Sequence, residues 1–186
     1  MRSLFSLSAL VVSLLLGAGC QQEAQGSPPQ SPRKTDAVPK PVTDVTAKDY
    51  AMPPLPRGYV RLKDAFGGVH RVEVEVAATQ ESRTRGLMWR TELAAGKGML
   101  FLFPYQEVQG FWMRNTLIPL DILFISSDLR IVGIVSRAEP KTLESRSVGL
   151  PSQYVLEVPG GWTEKVGVKK GSTVEFEGVS GLAIGP

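Results

Sequence analysis

The sequence beyond Arg57 predicts a mainly β domain with minor α, folded as a compact antiparallel sandwich or open barrel with one or two short helices. Three observations carry that prediction. Apolar runs of strand length follow one another with turn residues between them. Helical signals are confined to two brief stretches. No strand is followed by the long helical pattern that a doubly wound α/β fold requires.

Residues 72–76 alternate apolar and acidic side chains, and Gly67-Gly68 separates them from Tyr59-Val60-Arg61-Leu62, which predicts a hairpin with one wet face. Thr79 then offers an N-cap with Glu81 in the first turn, so a short helix is expected through Arg85, ended by Gly86. Strands are expected at 99–103, 111–113, 120–125, 131–135, 154–158 and 173–176, with a helical turn at 163–166. Ser126-Ser127-Asp128 is short enough to join two of these strands as a hairpin. Runs without alternation, such as 120–125, are expected to be buried on both faces.

Ahead of this domain, Arg2 precedes an apolar stretch over residues 4–16, too short to span a bilayer, which takes about 20 apolar residues. The stretch ends in Leu16-Gly17-Ala18-Gly19-Cys20, which resembles a bacterial lipobox with Cys20 as the acylated residue. Gly17 occupies the slot where leucine is usual, so ordinary signal-peptidase cleavage is the alternative. Gln21 follows the cysteine where inner-membrane retention would call for aspartate, which favours the outer membrane facing the periplasm. The expected organisation is a signal peptide over 1–19, a lipidated, proline-rich tether over 20–56, one domain over 57–178 and a loose tail over 179–186. The expected site is the cell envelope, reached by export and held by a lipid anchor.

Composition narrows the chemistry. The chain has 186 residues, 42% of them hydrophobic and 21% charged, ordinary for a globular protein. Its net charge of +3 comes from basic residues mixed with acidic ones, unlike the basic stripe of a nucleic-acid binder. With Cys20 its one cysteine, a lipidated chain keeps no thiol for a disulfide or a nucleophile. A single histidine, His70, is too little for a multi-histidine metal site, and neither a metal nor a cofactor is expected.

Four segments stand out together: Arg85-Gly86-Leu87-Met88, Gly98-Met99-Leu100-Phe101, residues 111–121 from Phe111-Trp112-Met113-Arg114-Asn115-Thr116 to Ile118-Pro119-Leu120-Asp121, and Tyr154-Val155-Leu156-Glu157. In these segments the chain resembles domain of unknown function 192, from about Val72 to Phe176. The resemblance implies a compact, mainly β domain and no established activity. Some members carry a cysteine before Tyr154; this chain has none there.

Asp121 and Glu157 are carboxylates inside apolar runs, where an unpaired buried charge costs several kcal/mol. If residues 115–119 turn the chain, Arg114 would lie opposite Asp121 and pair with it. Arg85, Trp112, Arg114, Asn115, Asp121 and Glu157 are the candidate ligand-binding residues, suited to a sugar, an anion or a peptide carboxylate if they converge. For Met88, Phe111, Trp112 and Met113 plain core packing is the simpler expectation. The leading expectation is a non-catalytic envelope domain that binds a small polar ligand or an envelope partner. One alternative is a hydrolase or lyase acting on envelope polysaccharide through Asp121 and Glu157, which would require the pair to face one cleft. A purely structural or interaction role is the other. A serine triad has no support, since no Gly-x-Ser-x-Gly elbow is present.

Overall fold

A computed structural model describes residues 42–185. The expected signal peptide, Cys20 and most of the expected tether lie outside the described residues. The described chain is mainly β, a seven-stranded curled sheet with two short helices. Its strands are β1 (Arg57–Lys63), β2 (Val69–Ala77), β3 (Lys97–Val108), β4 (Leu120–Ile125), β5 (Ile131–Ala138), β6 (Pro151–Pro159) and β7 (Val174–Glu177), and its helices α1 (Gln80–Arg85) and α2 (Trp162–Val166).

The spatial order is β5-β4-β6-β3-β2-β1-β7. The sheet curls until its two edges meet below β5 and β7. There Val174 N–H donates to Leu129 O at 2.9 Å, Ile131 N–H to Ser172 O at 3.0 Å and Gly171 N–H to Ile131 O at 2.8 Å. An open barrel rather than a sandwich is therefore what forms.

The hairpin of β1 and β2 pairs as expected, Val60 opposite Val72, and β2 buries alternate residues. All six residues of β4 are buried, so this strand is covered on both faces. Inside the curl, Val60, Leu62, Val72, Val74, Leu100, Leu123, Leu156 and Val174 make one core. On the other face of the central strands, Met99, Phe101, Ile122, Phe124 and Val155 make a second, covered by Leu87, Met113 and Phe111.

One pairing breaks the antiparallel pattern. β2 and β3 run parallel, Glu73 opposite Lys97, so the chain crosses over between them through residues 78–96. That crossover carries α1 and then Leu87 and Met88 across the outer face of the sheet.

Residues 111–113 do not form the expected strand. Phe111 makes a single bridge to Arg146, and Met113 N–H donates to Thr142 O at 3.0 Å. Asn115, at φ 56°, bends the chain back, so the run lies over the sheet instead of joining it. The segment after Gly178 has no regular structure, yet Leu182 and Ile184 pack on the inner core and Gly185 N–H donates to Ala78 O at 2.9 Å. Among the described residues no helix is long and apolar enough to cross a membrane.

Candidate functional site

The crossover and the 109–116 loop leave a cleft of about 270 Å³ between them. Phe101 and Phe103 of β3 line it with Phe111 and Trp112 of the loop, and Arg83, Arg85, Gln109, Thr116 and Glu157 add the polar groups. Phe111 is the hub of the aromatic lining: its ring meets those of Phe101, Phe103 and Phe124 edge-on at 5.0, 6.3 and 6.0 Å.

α1 positions the cationic side. Its capping box is complete, with Ser82 N–H donating to Thr79 Oγ1 at 3.2 Å and Thr79 N–H to Ser82 Oγ at 3.0 Å. Arg83 donates to Ala78 O at 2.9 Å, Leu102 O at 3.1 Å and Gly185 O at 3.1 Å, tying the helix to β3 and the tail. Burial holds both the Arg83 and Arg85 guanidinium groups below their ordinary pKa, with Tyr50 and Asp44 opposing the fall at Arg85.

Two polar groups in this cleft have no partner. Glu157, only 4% exposed, lines it from β6, and its carboxyl makes no hydrogen bond or ion pair among the described residues. Burial alone pushes its pKa up to about 8. Gln109, which also lines the cleft, has a buried amide Nε2 without a hydrogen-bond partner. A buried amide nitrogen of this kind is almost always satisfied, so Gln109 Nε2 is an exception in the wall of a cleft that Glu157 also lines.

Asp121 lies elsewhere. It is fully buried, and its Oδ1 accepts from Arg137 N–H and Gly161 N–H, each at 2.8 Å. Its Oδ2 accepts from Thr163 N–H at 2.9 Å and from Thr163 Oγ1 at 2.6 Å. Asp121 thus fills a register shift between β4 and β5 and caps the start of α2. The expected pairing with Arg114 does not form; Arg114 is exposed, its guanidinium 5.7 Å from the centre of the Trp112 ring. Nor do the two carboxylates converge. Asp121 is opposite Val158 and Ile122 opposite Glu157, and side chains alternate along a strand, so Asp121 and Glu157 point to opposite faces of the sheet.

Of the other expected residues, Arg85 and Trp112 line the cleft, while Asn115 stands beside it and donates from Nδ2 to Thr46 O at 3.1 Å. Core packing describes Met88, Met113 and Phe111, whereas Trp112 is 46% exposed. Arg90 is engaged with Glu75 on β2. His70 sits in the hairpin, paired with Asp64 at 2.7 Å. Among the described residues no cluster of metal-ligating side chains occurs.

Sequence reasoning missed Gln109, Phe101 and Phe103 as cleft residues. A glutamine before glycine and a phenylalanine in a strand carry no local signal of a pocket. It also missed Trp89, whose Nε1 donates to Thr46 O at 2.9 Å.

Comparison with known proteins identifies one family model, DUF192, described as uncharacterized ACR, over residues 62–176. No curated protein matches. Among solved structures, a "putative transcription regulator" from Sinorhizobium meliloti 1021 is similar at 36% identity with a TM-score of 0.66, covering 68% of this chain and 98% of that one. A protein of unknown function from Novosphingobium aromaticivorans DSM 12444 is also 36% identical, with a TM-score of 0.63, over 72% of this chain and 97% of that one.

Proposed function

The chain belongs to the DUF192 family of uncharacterised proteins, and we propose that it is a non-catalytic binding domain whose aromatic cleft takes a small polar ligand rich in acceptor oxygens. The observation that carries this reading is the pair of unpartnered groups, Glu157 and Gln109 Nε2, in one cleft. With its pKa near 8, Glu157 is protonated at neutral pH and offers an O–H donor beside the N–H of Gln109. Both donors would be satisfied by hydroxyl, carbonyl or carboxyl oxygens of a ligand whose apolar face rests on Phe111 and Trp112. The cleft volume suits one ring rather than a chain.

The location proposed is the cell envelope, with residues 1–19 as the export signal and Cys20 as the lipid-bearing residue. Incorporation of a fatty-acid analogue, lost in Cys20→Ser, is the expected result; unlabelled soluble protein would count against it. A polysaccharide hydrolase working through paired carboxylates is not adopted, because Asp121 is saturated by four donors on the far face from Glu157. A nucleic-acid role is not adopted either. Several basic side chains of β1 to β3 lie against acidic neighbours: Arg61 against Glu175, Arg71 against Glu177 and Lys97 against Glu73.

The test is a thermal-shift and calorimetric screen of the full chain against monosaccharides, short hydroxy acids and amino acids at pH 6.5. A ligand that raises the melting temperature should lose its effect in Gln109→Leu and Trp112→Ala, while Glu157→Gln, which keeps a neutral donor, retains it. Above pH 9 the wild type should weaken and Glu157→Gln should not. Binding that survives the cleft substitutions, or a broad panel without a single binder, would overturn the reading.

A further inference from the structure

The end of the β1–β2 hairpin is exposed, apolar and held in one shape. Ala65-Phe66-Gly67-Gly68-Val69 is a run of five exposed residues without a charge. Phe66 is 92% exposed and Val69 53%. Asp64 fixes the turn: its Oδ1 accepts from Phe66 N–H at 2.7 Å and Gly68 N–H at 2.9 Å, its own N–H donates to Gly68 O at 2.9 Å, and its Oδ2 meets His70 Nε2 at 2.7 Å. Gly67, at φ 90°, supplies the positive φ that the turn needs. A lone surface phenylalanine calls for no explanation. Here a carboxylate orders a whole loop whose outermost side chain is an aromatic ring in water.

Lysines surround this tip. Lys63 stands directly opposite Val69 in the hairpin register. Ala65 N–H donates to Gly167 O at 3.2 Å, and a β-carbon on Gly167 would stand 3.5 Å from the Phe66 ring. The end of α2 therefore lies against the tip, with Lys165 two residues before Gly167 and Lys169 and Lys170 just after it. The turn that carries the last two is tied back to β1, Lys63 N–H donating to Thr173 O at 3.0 Å. All four lysines are exposed, and none forms an ion pair among the described residues. The acidic side chains of this end are already engaged: Asp64 with His70, Asp128 with Arg130, Glu164 with Arg137 and Glu175 with Arg61. At the other end of the hairpin the pattern reverses, Arg57 and Lys97 both lying against Glu73 and Arg90 against Glu75.

We propose that the β1–β2 tip is a membrane-docking element, in which Phe66 enters the interface of a bilayer rich in anionic phospholipid while Lys63, Lys165, Lys169 and Lys170 face its phosphates. Unpaired ammonium groups around an apolar point complement a surface that is negative outside and apolar beneath. An acidic protein is the poorer fit, since a five-residue hairpin end offers far less than the roughly 800 Å² that each partner of a stable protein interface buries. One ring and four lysines bind reversibly, so the contact orients the domain on a membrane rather than anchoring it. The tip shares no residue with the aromatic cleft and needs no lipid on Cys20.

Cys20→Ser with Val69→Cys gives the full chain a single thiol, at the tip, for a nitroxide label. Cys20→Ser with Glu92→Cys places the label at the opposite end of the hairpin, in the depression that Arg57 lines. Power saturation with oxygen and a nickel chelate reads the depth of each label on vesicles of phosphatidylglycerol and phosphatidylcholine in equal parts. We expect the label at 69 to lie below the phosphates and the label at 92 to stay in water. Pure phosphatidylcholine, or salt at about 0.5 M, should return the first label to water. Phe66→Ser should lower the ratio of inserted to free tip at least about tenfold, and Lys169→Gln with Lys170→Gln roughly 25-fold, about fivefold for each lysine. Unchanged melting temperatures show that these variants keep the fold.

A tip label that stays in water, immersion of both labels alike, equal insertion into neutral vesicles, or insertion indifferent to Phe66→Ser would each overturn the proposal. So would soluble polyglutamate that immobilises the tip label where vesicles do not, which would reassign the lysines to an acidic protein. Glu157→Gln should leave both depths unchanged, which keeps this outcome separate from that of the cleft.

Discussion

Two carboxylates that look alike in the sequence have opposite surroundings. Asp121 receives four hydrogen bonds and Glu157 receives none among the described residues. Asp121→Ala strands four donors, the two of Thr163 buried, and the expected loss is about 3–5 kcal/mol of stability, measured by urea unfolding, with any ligand affinity of the surviving fold unchanged. For Glu157 the sign runs the other way from a salt-bridged acid. Its folded pKa of about 8 lies above the unfolded value, so folding takes up a proton between the two. That contribution is whole below the ordinary carboxylate range and is lost as pH rises towards 8. Wild type should therefore lose stability between pH 5 and pH 8.5, on the order of a few kcal/mol, by more than Glu157→Gln does. Equal pH slopes in urea unfolding would show that the carboxyl is already charged and hydrated. The sequence marks both residues as anomalies and goes no further, since the donors to Asp121 stand 16 to 42 positions away from it.

Among the elements, those set by local chemistry were legible and those set by distant contacts were not. α1 runs from Gln80 to Arg85 between Thr79 and Gly86, as the N-cap and the terminal glycine dictate. Thr79→Ala should cost about 1 kcal/mol and speed amide exchange across residues 80–85, without altering β4 to β6. Uniform protection in that variant would mean that Arg83, not the capping box, holds the helix. By contrast, Phe111-Trp112-Met113 has the composition of a strand, and only its bonds to Arg146 and Thr142 make it a cover over the sheet. The parallel pairing of β2 with β3 was equally hidden, because the crossover contains too little helix to announce a β-α-β unit. The cleft depends on both hidden features, so its location was not readable even though Arg85, Trp112 and Glu157 were singled out.

For the whole molecule, the decisive contacts join the two ends of the domain. β7 pairs with β1, Val60 opposite Phe176, and the residues leading into β7 close the far edge onto β5. A chain ending at Gly171 would leave β1 unpaired along one side and the inner core open, and we expect no cooperative thermal transition and strong aggregation. A soluble, cooperatively melting truncate would show that the barrel closes without its last strand. Closure by the last strand also sets a time order. While the C-terminal stretch is still being synthesised, both edges lack their partners, and the domain has no route to its finished core. A domain closed by β7 cannot complete its core before residues 174–177 have been made, and a chain with its core unfinished is the form that a narrow pore admits.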